Sequence, residues 1–565
     1  MQRPTLTALL LGSLALSACQ TASDTRSDME SGSTPAAADS YASQHIPAPP
    51  PAPPSPPAPP SPGAAFMSAR AVMPSPEPWG FAPPPVANTE RYDERSDNPV
   101  QRTSEQPVST FSIDVDTGSY SNVRRMLRNG IRPPADAVRA EEFINYFSYG
   151  HAAPESADAP FQVSTELAPA PWNPRRHLLM IGIKGYDVPR LELPPANLVF
   201  LIDTSGSMNS HDKLPLLKQA FAELVGQLRA QDRVSIVAYA GSAGVVLPPT
   251  PGDRHDEINA AIARLQASGS TNGGDGMRVA YSLARQSFVE DGVNRVILAS
   301  DGDFNVGNVD GGTLETLVGD RRRDGIALTV LGFGQGNYND ALAQRLAQAG
   351  DGKLAYIDTL REARKVLVEE MSATLLTIAN DVKIQLEFNP AQVAEYRLIG
   401  YENRLLQRED FDNDRVDAGD IGAGHEVTAL YEVALVGSGG ERLPALRYGT
   451  APTATDGHGD ELAHLRLRYK LPGQEASRLI ETPVTRDSMR SRPGPQLRFA
   501  ASVAAFADAL RGGAQIDGWD WEEIEAAARA SVGEDPWQLR AELVELIGTA
   551  RRQVQAAESA TGPAR

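Results

Sequence analysis

The chain has 565 residues, 41% of them hydrophobic, enough for several cores and more than one domain. Its 44 prolines require at least one stretch outside regular structure, and a net charge of −19 without a Lys/Arg block argues against a nucleic-acid surface. The single cysteine excludes an intramolecular disulfide.

The chain opens Met1-Gln2-Arg3, runs apolar from Leu6 to Leu16 and closes Leu16-Ser17-Ala18-Cys19. A basic start, a short apolar stretch and small residues before the break are the grammar of a secretory signal over residues 1–19, and the stretch is too short to span a bilayer as a helix. Its ending resembles the lipobox of bacterial lipoproteins, which implies acylation of Cys19 and stable membrane anchoring. Gln20 stands where inner-membrane retention would place Asp, so the resemblance implies a cell-envelope location, with the outer membrane favoured. Residues 20–97 form a polar, Pro-rich linker. Pro47 to Pro62 reads PAPPPAPPSPPAPPSP, which fits extended polyproline II of about 3.1 Å per residue, roughly 50 Å in all. We expect a spacer here rather than a ligand for an aromatic groove.

Ordered sequence begins near Asn98. Val108 to Asp114 alternates like a strand, and Tyr120 to Arg128 reads as a helix stopped by Gly130. Between them, Asp114-Val115-Asp116-Thr117-Gly118 looks like half a calcium loop but lacks the later acidic ligand; helix capping is the expected role. From Asn197 to about Met371, apolar runs (Leu198–Ile202, Val234–Tyr239, Val296–Ala299, Ile326–Gly332, Leu354–Ile357) alternate with helical stretches such as 214–228, 276–288 and 341–349. That alternation predicts an α/β domain with a mostly parallel, doubly wound sheet. Residues 378–470 return to two-residue alternation. From Leu497 the pattern is helical, with Phe499, Val503, Phe506 and Leu510 on one face, and Leu539, Leu543, Leu546 and Ala550 on another. Asp535-Pro536 is expected to open the last helix as cap and first residue.

Leu201-Ile202-Asp203-Thr204-Ser205-Gly206-Ser207-Met208 carries the chemistry. An apolar strand delivers Asp203 to its end, and two hydroxyls follow at spacing two. Ser270-Thr271-Asn272 lies in a Gly-rich loop at the start of a helix, and Ser300-Asp301-Gly302 follows the run 296–299. Together these resemble the metal-ion-dependent adhesion site of von Willebrand factor type A domains, and the flanks resemble those of bacterial lipoproteins carrying such a domain. The resemblance implies a Rossmann-like sheet of order 3-2-1-4-5-6 with the site at its switch point. It also implies a metal site of Asp203, Ser205, Ser207, Thr271 and Asp301. In the family, Ser205, Ser207 and Thr271 would give neutral oxygens, and Asp203 and Asp301 act through water. Magnesium, which takes about six hard oxygens, is the expected cofactor, with manganese or calcium as alternatives. One coordination position is left for a Glu or Asp of a protein partner.

Nucleophile elbows, P-loops and paired zinc histidines are absent from the sequence, so no catalytic residues and no enzyme activity are expected. A structural envelope protein with a fold-stabilising ion, and a metal-dependent hydrolase, are the competing readings. His211, His458 and the cluster Asp410-Phe411-Asp412-Asn413-Asp414 are expected to be solvated loop features.

The expected organisation is an N-terminal flank over 98–195, the von Willebrand factor A domain over 196–375, a β-rich flank over 376–485 and a helical region over 486–565. Strand patterns flank the α/β domain: residues 161–167 alternate and 178–183 is another strand-like run before it, and residues 382–388, 427–433 and 465–471 alternate after it. Neither set closes a sandwich alone. We therefore expect them to pair into one antiparallel β-domain into which the α/β domain is inserted.

Overall fold

In the computed structural model, the described residues are 90–302, 311–336, 338–370, 376–416, 418–447, 458–516 and 518–561. They belong to one compact unit, Pro83–Arg565. The expected signal over 1–19, with Cys19, and the Pro-rich run lie outside the described residues.

In chain order the elements are β1 (Gln101–Arg102), β2 (Val108–Ser112), α1 (Gly118–Arg128), α2 (Ala140–Ile144), β3 (Phe161–Ala170) and β4 (Asn173–Gly185). The α/β domain follows: β5 (Ala196–Asp203), α3 (Leu214–Val225), β6 (Arg233–Tyr239), β7 (Ala243–Pro251), α4 (His255–Arg264), α5 (Gly273–Gln286), β8 (Val293–Ser300), α6 (Gly311–Arg323), β9 (Ala327–Phe333), α7 (Asp340–Ala349), β10 (Leu354–Ile357) and α8 (Leu360–Arg364). Then come β11 (Thr377–Phe388), β12 (Val393–Ile399), β13 (Gly419–Gly422), β14 (Glu426–Leu435), β15 (Glu461–Lys470), β16 (Ser477–Thr485), α9 (Pro495–Arg511), α10 (Trp521–Ala530) and α11 (Leu539–Thr561).

The α/β sheet runs β10-β9-β8-β5-β6-β7, which in the domain's own order is 3-2-1-4-5-6 read from β7. All eight residues of β5 are buried because helices cover both faces. Leu198, Phe200 and Ile202 pack into the core under α3 and α4, while Val199 and Leu201 face the core under α5, α6 and α7. Within the α/β domain one strand was not anticipated: β7 carries Pro248, Pro249 and Pro251, yet it pairs antiparallel with β6 at the sheet edge. Only there are prolines without an N–H tolerated.

The flanking strands do combine. β4 pairs with β14, Met180 opposite Leu430, in the sheet β1-β12-β14-β4-β3. β11 lies between β2 and β15 in the sheet β13-β11-β15-β16, Phe111 opposite Ile384. The two sheets share one core, with Phe111, Ile181, Ile183, Leu386 and Tyr431 inside, and the α/β domain is inserted between β4 and β11. Leu178 and Met180 point the other way, into a third core with α1, α2 and α9–α11. This explains why β4 is apolar on both faces instead of alternating. Phe499, Val503, Phe506 and Leu510 all enter that third core.

Two expectations are corrected. Thr117, at the N-cap of α1, makes no side-chain cap bond; Glu142 Oε2 accepts the Ser119 N–H at 2.8 Å instead. Asp116 Oδ1 accepts the N–H of Leu354 at the start of β10, and Arg404 bridges Asp114 and Asp116, so the acidic loop ties flank to α/β domain. The last helix starts at Leu539 rather than Pro536, because Gln538 takes a φ of +56°. Asp535 still accepts the N–H groups of Leu539 and Ala541, both at 2.9 Å.

Between the bodies sits a buried ion network. Arg124 on α1 donates to Asp358 and Glu362 of the α/β domain (each at 2.8 Å) and to Glu542 on α11 (3.1 Å). Its guanidinium is satisfied on every side, which a buried charge requires.

Candidate metal centre

β5 and β8 are neighbouring parallel strands, Ile202 beside Ala299; the chain passes from β5 to β6 on one side and from β8 to β9 on the other. Their C-terminal ends therefore flank a crevice at the switch point. Asp203 ends β5 fully buried. Its Oδ1 accepts the Ser205 N–H at 2.8 Å, and its Oδ2 accepts the hydroxyls of Ser300 (3.2 Å) and Tyr239 (3.3 Å). The Ser205 and Ser207 hydroxyls are hydrogen-bonded to each other at 2.9 Å.

The loop after β5 is zipped to the loop before α5. Gly206 N–H donates to the Gly269 carbonyl (3.0 Å), and Ser268 N–H donates to the Thr204 carbonyl (2.8 Å). Thr271 lies half-buried two residues beyond Gly269, immediately before the helix. Asp301, also fully buried, directly follows β8. Gly302 then takes a φ of +86°, and a Cβ there would stand 2.5 Å from the Asn339 backbone nitrogen, so only glycine lets the chain turn away.

Burial pushes the Asp203 carboxyl up to about 6, aided by the Asp301 charge and resisted by the Ser205 and Ser300 bonds. Tyr239 and Lys213 were given no role from the sequence, and Ser300 was quoted only as the neighbour of Asp301. Lys213 Nζ donates to Asp301 Oδ2 at 2.8 Å. Its only local mark is a lysine before a helix, which ordinarily means a solvated charge.

The donor set fits a small hard cation. Ser205 and Ser207 present two neutral hydroxyl oxygens 2.9 Å apart, close enough to serve one ion. Among the described residues no group of three or more His, Cys, Asp or Glu is disposed to hold a metal; this site's oxygens are hydroxyls backed by two carboxylates. The other candidates are accounted for by protein contacts. Asp412 and Asp414 each pair with Arg468 at 3.1 Å, His458 Nδ1 lies 2.9 Å from Glu461, and His211 is exposed.

Comparison with known proteins matches residues 198–303 to a model for the von Willebrand factor type A domain, residues 86–180 to one for von Willebrand factor, and residues 373–553 to one described as "Uncharacterized protein YfbK, C-terminal". The chain is 48% identical to the Escherichia coli (strain K12) protein YfbK over 473 residues, covering 82% of this chain and 81% of that protein. The Synechocystis protein sll0103 is 30% identical over 217 residues, 38% of this chain and 50% of its own. Among solved structures, "von Willebrand factor type A from Catenulispora acidiphila" aligns with 72% of this chain and 89% of its own at 14% identity and a TM-score of 0.39. Among the described residues no helix is long and apolar enough to cross a membrane.

Proposed function

Since the chain belongs to the YfbK family of von Willebrand factor type A domain proteins, we propose that it is a lipid-anchored cell-envelope protein that captures a protein partner through a divalent cation. Domains of this type are typically interaction modules rather than enzymes, and membership points to a role in protein–protein interaction. The observation that carries the finer reading is the pair of hydroxyls 2.9 Å apart beside two fully buried carboxylates at a sheet switch point.

Ser205, Ser207 and Thr271 would hold a magnesium ion directly, with Asp203 and Asp301 behind it. When bound, the ion supplies an electrophilic position for a partner's Glu or Asp carboxylate. The chain's own part is preorganisation. Ser205 N–H, Ser300 and Tyr239 fix both oxygens of Asp203 before any ion arrives, and backbone bonds hold the loop of Ser205 against the loop that leads to Thr271. The lipobox-like Leu16-Ser17-Ala18-Cys19 supports acylation of Cys19, an envelope location with the outer membrane favoured, and the Pro-rich run as a spacer to the folded body.

The test is a pull-down from envelope extract on the immobilised full chain, in magnesium and in EDTA. A partner retained in magnesium and released by EDTA is the expected result. Retention indifferent to the chelator, or equal retention by Asp203→Ala, overturns it.

A further inference from the structure

We propose that Lys213 is a positioning residue of this centre: its ammonium on Asp301 weakens the hold on the resident cation and makes the loaded site one charge more positive toward an acidic partner. The proposal rests on reading Asp203, Ser205, Ser207, Thr271 and Asp301 as a cation site.

Lys213 is not a surface lysine that happens to fall near a carboxylate. Its side chain is 8% exposed and Asp301 is fully buried. It closes the loop that begins at Asp203, where its own N–H donates to the Ser210 carbonyl and its carbonyl accepts the Leu217 N–H. The aliphatic stem crosses the backbone at Gly334, just beyond β9. A Cβ at Gly334 would stand 2.2 Å from Lys213 Cε and 2.4 Å from Cγ, and φ there is +72°. The Gly334 carbonyl is in turn held by the Tyr356 hydroxyl. The stem thus runs in a channel that only glycine leaves open, and the ammonium is delivered to one oxygen of Asp301.

The ammonium makes the site one charge more positive than its carboxylates alone would leave it, both before and after a divalent ion binds. In a buried site such a charge acts at low effective dielectric and is felt strongly. The ion is held less tightly by the chain alone and more tightly once a carboxylate arrives. Ion and acidic partner therefore bind with positive coupling, which is necessarily reciprocal. Before loading, the same ammonium offsets the repulsion between Asp203 and Asp301.

The test uses the purified full chain and manganese as the probe ion, titrated by calorimetry, for wild type, K213Q and K213R. K213Q is expected to bind manganese at least about tenfold more tightly than wild type, about 1.4 kcal/mol. K213R, which keeps the charge, should stay within about threefold of it, since the charge and not the lysine's shape sets the affinity. Acetate, as a minimal carboxylate, should tighten manganese binding by wild type more than by K213Q. If K213Q does not fold, the double variant Lys213→Gln/Asp301→Asn must still bind manganese more tightly than Asp301→Asn alone. Equal or weaker binding on loss of the lysine overturns the role of Lys213 and leaves the cation site standing. No manganese binding by any of these proteins overturns both.

Discussion

Replacing Asp203 with alanine should weaken cation binding about 10–100-fold and leave the apoprotein folded, and the structure gives the reason the two separate. The change removes the acceptor of three buried donors, Ser205 N–H at 2.8 Å, Ser300 Oγ at 3.2 Å and Tyr239 Oη at 3.3 Å. A donor left without its acceptor costs about 1–3 kcal/mol, less where the hydroxyl keeps another partner, as Tyr239 does with Ser300. Against this, the change relieves a buried carboxylate. Its pKa is pushed up from 3.8 to about 6, so at pH 7 and above the folded state carries a penalty of about 3 kcal/mol, which fades as pH falls through 6 toward 3.8. The two effects largely cancel at pH 8, leaving the variant within about 3 kcal/mol of wild type. At pH 5 the wild-type penalty has roughly halved, so the variant's deficit should grow by about 1.5 kcal/mol. Loss of a group that orients a metal's ligands weakens binding by about 10–100-fold. The assays are urea unfolding in EDTA at pH 8 and pH 5, with manganese calorimetry at pH 8. Wild-type manganese affinity in the variant, or a stability deficit that does not change with pH, would refute the reasoning.

Cys19→Ala should move the protein from the membrane pellet to the soluble periplasmic fraction; a variant still pelleted after a salt wash would show another anchor. Arg124→Met strands Asp358, Glu362 and Glu542 in a buried network and should destabilise the chain by about 3–5 kcal/mol, read as a lower urea midpoint. Phe111→Ala removes a fully buried ring packed edge-on against Tyr401 at 4.9 Å and should cost about 3–5 kcal/mol, reporting on the strand that joins the N-terminal flank to the sandwich. Burial and the nearby Asp351 push the Asp420 carboxyl up to about 7. The folded chain therefore binds more protons than the unfolded one between pH 4 and 7, and stability falls as pH rises through that window. Asp420→Asn should flatten that slope in pH-dependent unfolding, and an unchanged slope would count against it.

Local pattern carried much of this protein. Apolar runs ending in Asp203 and before Asp301 marked strands covered on both faces, and the Asp-x-Ser-x-Ser spacing put three oxygen-bearing side chains within five residues. The strand-like runs 178–183 and 427–433, read from opposite flanks, stand paired as β4 and β14 across the inserted domain, while 382–388 joins the second sheet beside β2. These features were legible because burial repeats with the period of the backbone, so each residue's face is written in its neighbours. Other features had no such trace. β7 hid behind its prolines because only its place at the sheet edge makes them tolerable. β4 is apolar on both faces because helices from both ends of the chain meet behind it. Asp116 serves Leu354 across 238 residues, Arg124 reaches Glu542 across 418, and Lys213 reaches Asp301 across 88. An ion pair needs only that two charges meet in space, and a lone charge beside a helix reads the same whether water or a buried carboxylate awaits it. Which of these it was, only the tertiary structure decided.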